Sequence, residues 1–319
     1  MKNNIVFLDS KPLINDGLCL DSLYELGELS LYDKTPDELV IERSSRAEII
    51  ITNKVKLTAQ HFCKLPRLRY IGETATGVDN IDIKAAAKHN IIVTNVPDYS
   101  TDSVAQHVLA LLLTHTNHIE NHNQSVQRGE WQAQPYFSYW SNPIIELSGM
   151  TLGLMGYGKV AHKVAQMTNA LGMKIIAHKP TMFLDKLATW VSFSDLLEQS
   201  DVLSLHCPLT ESTKNMINSG TLKQMKPTAV LINTGRGGLI NESDLANALK
   251  AKQITAAYLD VLSEEPPRID NRLISLTNCI ITPHIAWASV AARKRLLNTV
   301  CENIVHFLKG HPINVIRPL

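Results

Sequence analysis

The sequence predicts an α/β protein made of two doubly wound parallel-sheet units. Three observations carry that expectation. Short apolar runs alternate with amphipathic helical patterns along most of the chain. The alternation restarts after an interruption near residues 100–150. A glycine-rich loop, Gly156-Tyr157-Gly158-Lys159-Val160-Ala161, stands between a strand-like run and a helical one. A chain of 319 residues is long for one core and comfortable for two.

In the first hundred residues, Ile5-Val6-Phe7-Leu8, Ile49-Ile50-Ile51, Tyr70-Ile71-Gly72 and Ile91-Ile92-Val93 read as buried strands. A strand covered on both faces is apolar at successive positions, not at alternate ones. Residues 18–28, 36–45, 58–64 and 82–89 read as the helices between them. Asn95-Val96-Pro97-Asp98-Tyr99-Ser100 reads as a turn and hinge, followed by a long helix over residues 101–129. The second set opens with Thr151-Leu152-Gly153-Leu154-Met155 and continues through strands at 173–177, 201–205, 229–233, 256–260 and 279–282. Asn241 is placed to cap a helix over 242–251, and an amphipathic helix over 289–308 stops at Gly310-His311-Pro312.

Composition narrows the function classes. The 31 basic and 30 acidic residues leave a net charge of +1, which argues against a nucleic-acid footprint. The longest apolar stretch, residues 108–113, is too short to cross a bilayer. No signal-peptide core is evident at the N-terminus. Five scattered cysteines without a CxxC pair suggest small buried hydrophobes in a reducing cytoplasm.

The glycine loop suits a dinucleotide. Gly156 permits a tight turn, Gly158 allows backbone to approach a pyrophosphate, and Ala161 is small enough for helix-on-strand packing. The helix that follows offers N–H groups and a positive dipole end. The next strand should end in a carboxylate for the ribose hydroxyls of NAD, but His178-Lys179-Pro180-Thr181 supplies none. Lys179 would attract a 2′-phosphate, so the reading leans toward acceptance of NADP(H) beside NAD(H). The alternative, a solvated Lys179 with NAD still bound, stays open.

Three further residues each follow an apolar run: Arg236 in Asn233-Thr234-Gly235-Arg236-Gly237-Gly238, Glu265 in Asp260-Val261-Leu262-Ser263-Glu264-Glu265-Pro266, and His284 in Thr282-Pro283-His284-Ile285-Ala286-Trp287. A cation, a carboxylate and an imidazole delivered at strand ends make a candidate acid–base site for an anionic carbonyl compound. Taken singly, each also reads as ordinary loop polarity.

With these motifs, the chain resembles the D-isomer-specific 2-hydroxyacid dehydrogenases, within them the glycerate dehydrogenase (hydroxypyruvate reductase) type. The likeness also runs through Thr52-Asn53-Lys54, Leu65-Pro66-Arg67-Leu68-Arg69, Ala75-Thr76-Gly77-Val78-Asp79, Leu205-His206-Cys207-Pro208-Leu209-Thr210 and Pro312-Ile313-Asn314-Val315. The resemblance implies a Rossmann-type cofactor domain at 99–284 inserted into a flavodoxin-like substrate domain formed by 1–98 and 285–319, with the active site in the cleft between them. It implies that Arg236 holds the substrate carboxylate and polarises the keto oxygen, that His284 exchanges the proton, and that Glu265 orients His284. Thr101, Tyr157, Lys159, Val160, His178, Lys179, Cys207, Pro208, Thr213, Thr234, Gly235 and Asp260 join the two loop glycines, Arg236 and His284 around the dinucleotide. Asn53, Thr76, Gly77, Tyr99 and Trp287 join Arg236 and His284 around the substrate. Glu73-Thr74-Ala75 departs from the family pattern, which is more often apolar before the Ala-Thr-Gly. Glu73 either adds a negative charge near a carboxylate site or points away.

The resemblance also implies a homodimer through residues 100–150. His118 and His122 have a spacing that suits two metal ligands, but no third is evident, so they are expected at an interface or surface and no metal is assigned. Trp131, Tyr136, Phe137, Tyr139 and Trp140 are expected in core or dimer-arm packing. The expected reaction is reduction of hydroxypyruvate or glyoxylate and its reverse. The alternatives are another dehydrogenase of D-lactate or 3-phosphoglycerate type, or a non-catalytic dinucleotide sensor of the corepressor kind.

Overall fold

The computed structural model describes residues 3–15 and 17–318. In chain order they form β1 (Asn3–Phe7), α1 (Lys11–Ile14), α2 (Asp21–Tyr24), β2 (Gly27–Leu31), α3 (Val40–Ser44), β3 (Ile49–Thr52), α4 (Ala59–Lys64), β4 (Tyr70–Glu73), α5 (Ile83–Lys88) and β5 (Ile92–Thr94). There follow α6 (Thr101–Asn117), α7 (Ile119–Gln127), β6 (Thr151–Met155), α8 (Lys159–Asn169), β7 (Lys174–His178), β8 (Thr189–Trp190), α9 (Phe193–Gln199), β9 (Val202–Leu205), α10 (Ser219–Leu222), β10 (Val230–Asn233), α11 (Glu242–Lys250), β11 (Ala256–Leu259), β12 (Cys279–Ile281) and α12 (Val290–Leu308). Contacts divide the chain into residues 1–100 with 288–319, and residues 101–287.

The first unit carries a parallel sheet in the order β2-β1-β3-β4-β5, the flavodoxin-like order. Its core gathers Val6, Leu8, Ile50, Phe62, Ile71 and Val93. α4 starts at Thr58, whose N–H donates to His61 Nδ1 at 3.2 Å, and α5 starts at Asp82, which accepts from the Ala85 N–H at 2.9 Å. α12 completes this unit: Phe307 packs on Tyr70 of β4 with ring centroids 4.7 Å apart. Arg293, buried in α12, donates to the carbonyls of Leu13, Asn15 and Ala288. A buried guanidinium is thereby supplied with acceptors instead of being stranded.

The second unit carries a parallel sheet in the order β12-β11-β10-β9-β6-β7-β8. Its inner strands are buried along their length, and apolar clusters lie on both faces: one around Leu203, Leu231 and Leu245, the other around Leu154, Val164 and Ile232. Burial on both faces is why these strands read as continuous apolar runs. α9 and α11 begin at Ser192 and Asn241, whose side chains accept from the N–H groups of Asp195 and Asp244 at 3.1 Å.

Several expectations are corrected. Residues 18–28 are not one helix. A single turn, α2, is followed by β2, an edge strand whose burial alternates. The helix expected over 101–129 breaks at His118, which adopts the left-handed conformation at φ 49°. β8, a two-residue edge strand, was not anticipated. Cys19 and Cys63 are exposed, not buried. The aromatic run is not core within this chain, since Tyr136, Phe137 and Trp140 are 73 %, 91 % and 65 % exposed. No described helix is long and apolar enough to cross a membrane.

Candidate active site

The second sheet presents its loops at the carboxyl ends of its strands, the edge where open parallel sheets bind ligands. The glycine loop follows β6, His178-Lys179 follows β7, Cys207 follows β9, Arg236 follows β10, Asp260 and Glu265 follow β11, and His284 follows β12. Because β10, β11 and β12 are adjacent, strand order alone brings Arg236, Glu265 and His284 onto neighbouring loops.

Glu265 and His284 meet directly. Nδ1 of His284 lies 2.7 Å from Oε2 of Glu265. With Nδ1 donating there, Nε2 is the nitrogen left for proton exchange. Oε1 of Glu265 accepts from the Leu262 N–H at 3.1 Å, so the carboxylate is tied to its own loop. The two side chains are 28 % and 32 % exposed. A pair this open is partly screened and adds little to stability, so its effect is to orient the ring.

His284 has φ 54°, a left-handed conformation that costs a non-glycine residue roughly 1–2 kcal/mol. Asp260 holds it there. The His284 N–H donates to the Asp260 carbonyl at 2.9 Å. The buried Asp260 carboxylate accepts from Thr282 Oγ1 at 2.6 Å and from the N–H groups of Ile285 and Ala286 at 2.9 and 2.8 Å. Nε2 of His107 approaches the same carboxylate at 3.5 Å. This positioning of the histidine loop had no signal in the sequence beyond the acid itself.

Arg236 leaves a turn stitched by buried Asn233, whose Oδ1 accepts from the Gly235 N–H at 3.0 Å and whose Nδ2 donates to the Arg236 carbonyl at 2.9 Å. The next residue, Gly237, lets this loop press against the loop of Glu265. A Cβ there would lie 1.9 Å from the carbonyl carbon of Leu262.

The dinucleotide side is built around Gly156, at φ 86°, where a Cβ would lie 2.8 Å from the Cys207 nitrogen. That contact joins the loops after β6 and β9, where the strand order reverses. A Cβ at Gly158 would meet open space, and Oγ1 of Thr234 is buried without a partner. Together with the amino end of the eleven-residue α8, these features fit a bound dinucleotide. A cleft of about 650 Å³ lies alongside, lined by Thr101, Tyr157, Gly158, Lys159, Lys179 and Asp185 among others.

Asp185 revises the expectation of a pocket without an acid. The loop after β7 folds back so that Phe183 stacks on Tyr157 with centroids 4.6 Å apart, and the Tyr157 hydroxyl donates to Asp185 Oδ1 at 3.0 Å. The Leu187 N–H, 2.7 Å from the same oxygen, is the largest influence holding the Asp185 carboxyl below its usual range. Lys179 Nζ lies 5.1 Å from the Phe183 ring centre, so an acid and a base share the cleft.

Other expected dinucleotide residues have structural engagements. His178 Nδ1 is 2.9 Å from the Val191 carbonyl, Thr213 Oγ1 donates to the Pro208 carbonyl at 2.7 Å, and Val160 packs on the core. The Cys207 side chain turns into the core, where burial pushes its thiol up to about 11. In the first unit, Asn53 Nδ2 donates to the Thr74 carbonyl at 2.7 Å and Thr76 Oγ1 to the Val96 carbonyl at 2.9 Å. Tyr99 is buried, and its carbonyl accepts from Arg295 Nε at 2.9 Å. Glu73 turns inward and is 1 % exposed. Trp287 is half-buried at the end of the second unit.

Residues 109–286 match the family described as D-isomer specific 2-hydroxyacid dehydrogenase, NAD binding domain. The chain belongs to that family. This dehydrogenase is therefore an oxidoreductase that uses a nicotinamide dinucleotide. It is 40% identical to a hydroxypyruvate reductase of Blautia hydrogenotrophica over 96% of this chain and 99% of the relative. It is also 40% identical to a glycerate dehydrogenase of Methylorubrum extorquens over 99% of this chain and 100% of the relative. Among solved structures, an NADPH-dependent glyoxylate/hydroxypyruvate reductase from Sinorhizobium meliloti, in complex with NADP and malonate, matches the dehydrogenase with a TM-score of 0.86 at 28% identity, covering 99% of this chain and 97% of the other.

Proposed function

We propose that this dehydrogenase reduces hydroxypyruvate, and also glyoxylate, to the corresponding D-2-hydroxy acid, and catalyses the reverse oxidation. The observation that carries the reading is the 2.7 Å contact between His284 and Glu265 on a loop adjacent to that of Arg236. The names of the relatives support the substrate class.

A nicotinamide dinucleotide held by the loop at residues 156–161 and the amino end of α8 would supply or accept the hydride. Arg236 binds the substrate carboxylate with its fork of donors and polarises the carbonyl. His284, protonated, gives its Nε2 proton to the carbonyl oxygen during reduction. The neutral ring takes that proton back during oxidation. Glu265 fixes the ring through Nδ1. The Thr76 and Gly77 backbone cradles the carboxylate, and Trp287 favours a small polar substituent such as hydroxymethyl.

We further propose that NADP(H) is accepted beside NAD(H), because Lys179 lines the dinucleotide cleft. The exposed aromatic segment Tyr136, Phe137 and Trp140 supports a homodimer through residues 100–150, since patches of that kind are normally covered. The free cysteines are consistent with a cytoplasmic enzyme.

A panel of small 2-oxo acids assayed with NADH and NADPH tests the reading. Hydroxypyruvate is expected to give the highest kcat/KM, and His284→Ala to lose most turnover while still binding dinucleotide. A fully active His284→Ala enzyme would overturn the mechanism. No turnover on any 2-oxo acid would favour a dinucleotide sensor instead.

A further inference from the structure

Glu73 closes β4 in a place that the reaction above leaves unused. Its Oε2 accepts from Asn80 Nδ2 at 3.0 Å, while its Oε1 is buried with no hydrogen-bond partner. The same Asn80 amide donates to the Val55 carbonyl at 3.1 Å, and the Asn80 carbonyl accepts from the Leu57 N–H at 2.9 Å. Glu73 therefore backs the residue that ties down the loop after β3. That loop is latched to the loop after β4: the Thr74 N–H donates to the Thr52 carbonyl at 2.7 Å, and Asn53 Nδ2 donates to the Thr74 carbonyl at 2.7 Å. Thr76 and Gly77 follow directly.

A second acid, Asp9, lies against the same loop, and the two differ in how many donors they are given. Asp9 accepts from Thr52 Oγ1 at 3.1 Å and from the N–H groups of Asn53, Lys54 and Val55 at 2.8, 2.6 and 3.3 Å. Burial raises the Asp9 carboxyl above its usual value, and these four donors work against that rise. Glu73 has one neutral amide, and the charged groups that face it are Asp9, Lys54 and Asp79. No ion pair joins it to Lys54 within 4.0 Å among the described residues. A carboxylate in such a place neutralises instead of bearing the full desolvation cost. Burial accordingly pushes the Glu73 carboxyl well above the usual range.

We propose that Glu73 is a positioning residue, held as a neutral carboxylic acid, that braces the loops carrying Asn53, Thr76 and Gly77 without placing negative charge beside an anion-binding segment. The inference rests on the reading of Thr76 and Gly77 as the carboxylate cradle. It resolves the two options left by the sequence: the side chain points away from solvent, and it is an acid that carries no charge.

The test pairs thermal melting with kinetics. The native protein binds a proton at Glu73 that the unfolded chain releases above the ordinary glutamate value, so stability falls as pH rises from there through the raised value. Glu73→Gln, a neutral isostere, lacks that loss. Its Tm relative to the parent should rise with pH across this window. In kinetics, Glu73→Ala should raise KM for the 2-oxo acid about tenfold and KM for the dinucleotide less than about twofold, with Glu73→Gln restoring most of the loss. A pH-independent Tm difference would overturn the neutral acid. An unchanged KM, or equal changes in both KM values, in Glu73→Ala would overturn the positioning role. If Glu73→Ala does not fold, the melting comparison with Glu73→Gln still decides. Failure of the substrate panel is a separate result, because melting reads the Glu73 proton without any substrate.

Discussion

The backbone N–H of His284 donates to the carbonyl oxygen of Asp260, 2.9 Å away, and the Asp260 carboxylate accepts the next two N–H groups of the same loop. The imidazole is thus set by an acid that never touches it. Asp260→Asn places N–H donors against N–H donors in a buried site. It is expected to lower kcat by about 100-fold, the scale of a misplacement near 1 Å, while tryptophan fluorescence titration still detects dinucleotide binding. A kcat within a few-fold of the parent would mean that the loop holds itself.

Gly237 sets how closely the Arg236 and Glu265 loops approach. The Cβ of Gly237→Ala would lie 2.1 Å from the Leu262 carbonyl oxygen and 2.4 Å from the Ser263 nitrogen, and rigid backbone on both sides must move. The expected result is a Tm lower by several degrees, corresponding to about 1–3 kcal/mol, and a larger proportional loss of kcat. Differential scanning calorimetry and steady-state kinetics measure the two effects.

Lys179 and Asp185 place opposite charges in one cleft. Lys179→Ala is expected to lower the preference for NADPH over NADH, and Asp185→Asn to raise it, each by about three- to tenfold. Isothermal titration with 2′,5′-ADP and with 5′-AMP reads the same preference without turnover. Identical affinities in parent and variants would remove both residues from cofactor selection.

His206 follows β9 with its Nε2 2.8 Å from Ser204 Oγ, and desolvation lowers its pKa to about 4. The native state therefore binds fewer protons than the unfolded chain between its ordinary value of 6.5 and about 4. The stability held by neutral His206 is complete above the upper value and is lost as pH falls through the lower one. About 3 kcal/mol is at stake. Urea melts should show a shallower acid loss in His206→Gln than in the parent. Parallel curves would mean that other groups control the acid limb.

The inner strands were legible because burial on both faces leaves an apolar run that ends where its loop begins, and Arg236, Glu265 and His284 stand just past such ends. β2 was not legible: Glu28 and Ser30 alternate with Leu29 and Leu31 at a sheet edge, and the run is too short to separate strand from helix. The break at His118 depends on one left-handed residue of a type that also sits well inside helices. Asp185 was hidden for another reason. Its place in the cleft follows from a loop folding back onto Tyr157, which no local periodicity encodes.

Phe307, near the carboxyl end of α12, packs on Tyr70 of β4, and the whole second unit lies between them in the chain. During synthesis, therefore, the segment 101–287 leaves the ribosome with its own strands and helices complete, while the face of β4 waits for α12 to be translated. A nonsense codon within α12 would spare the dinucleotide-binding sheet and leave uncovered the face of β4 on which Phe307 packs. Such a truncated product would be a target for chaperones through its first hundred residues.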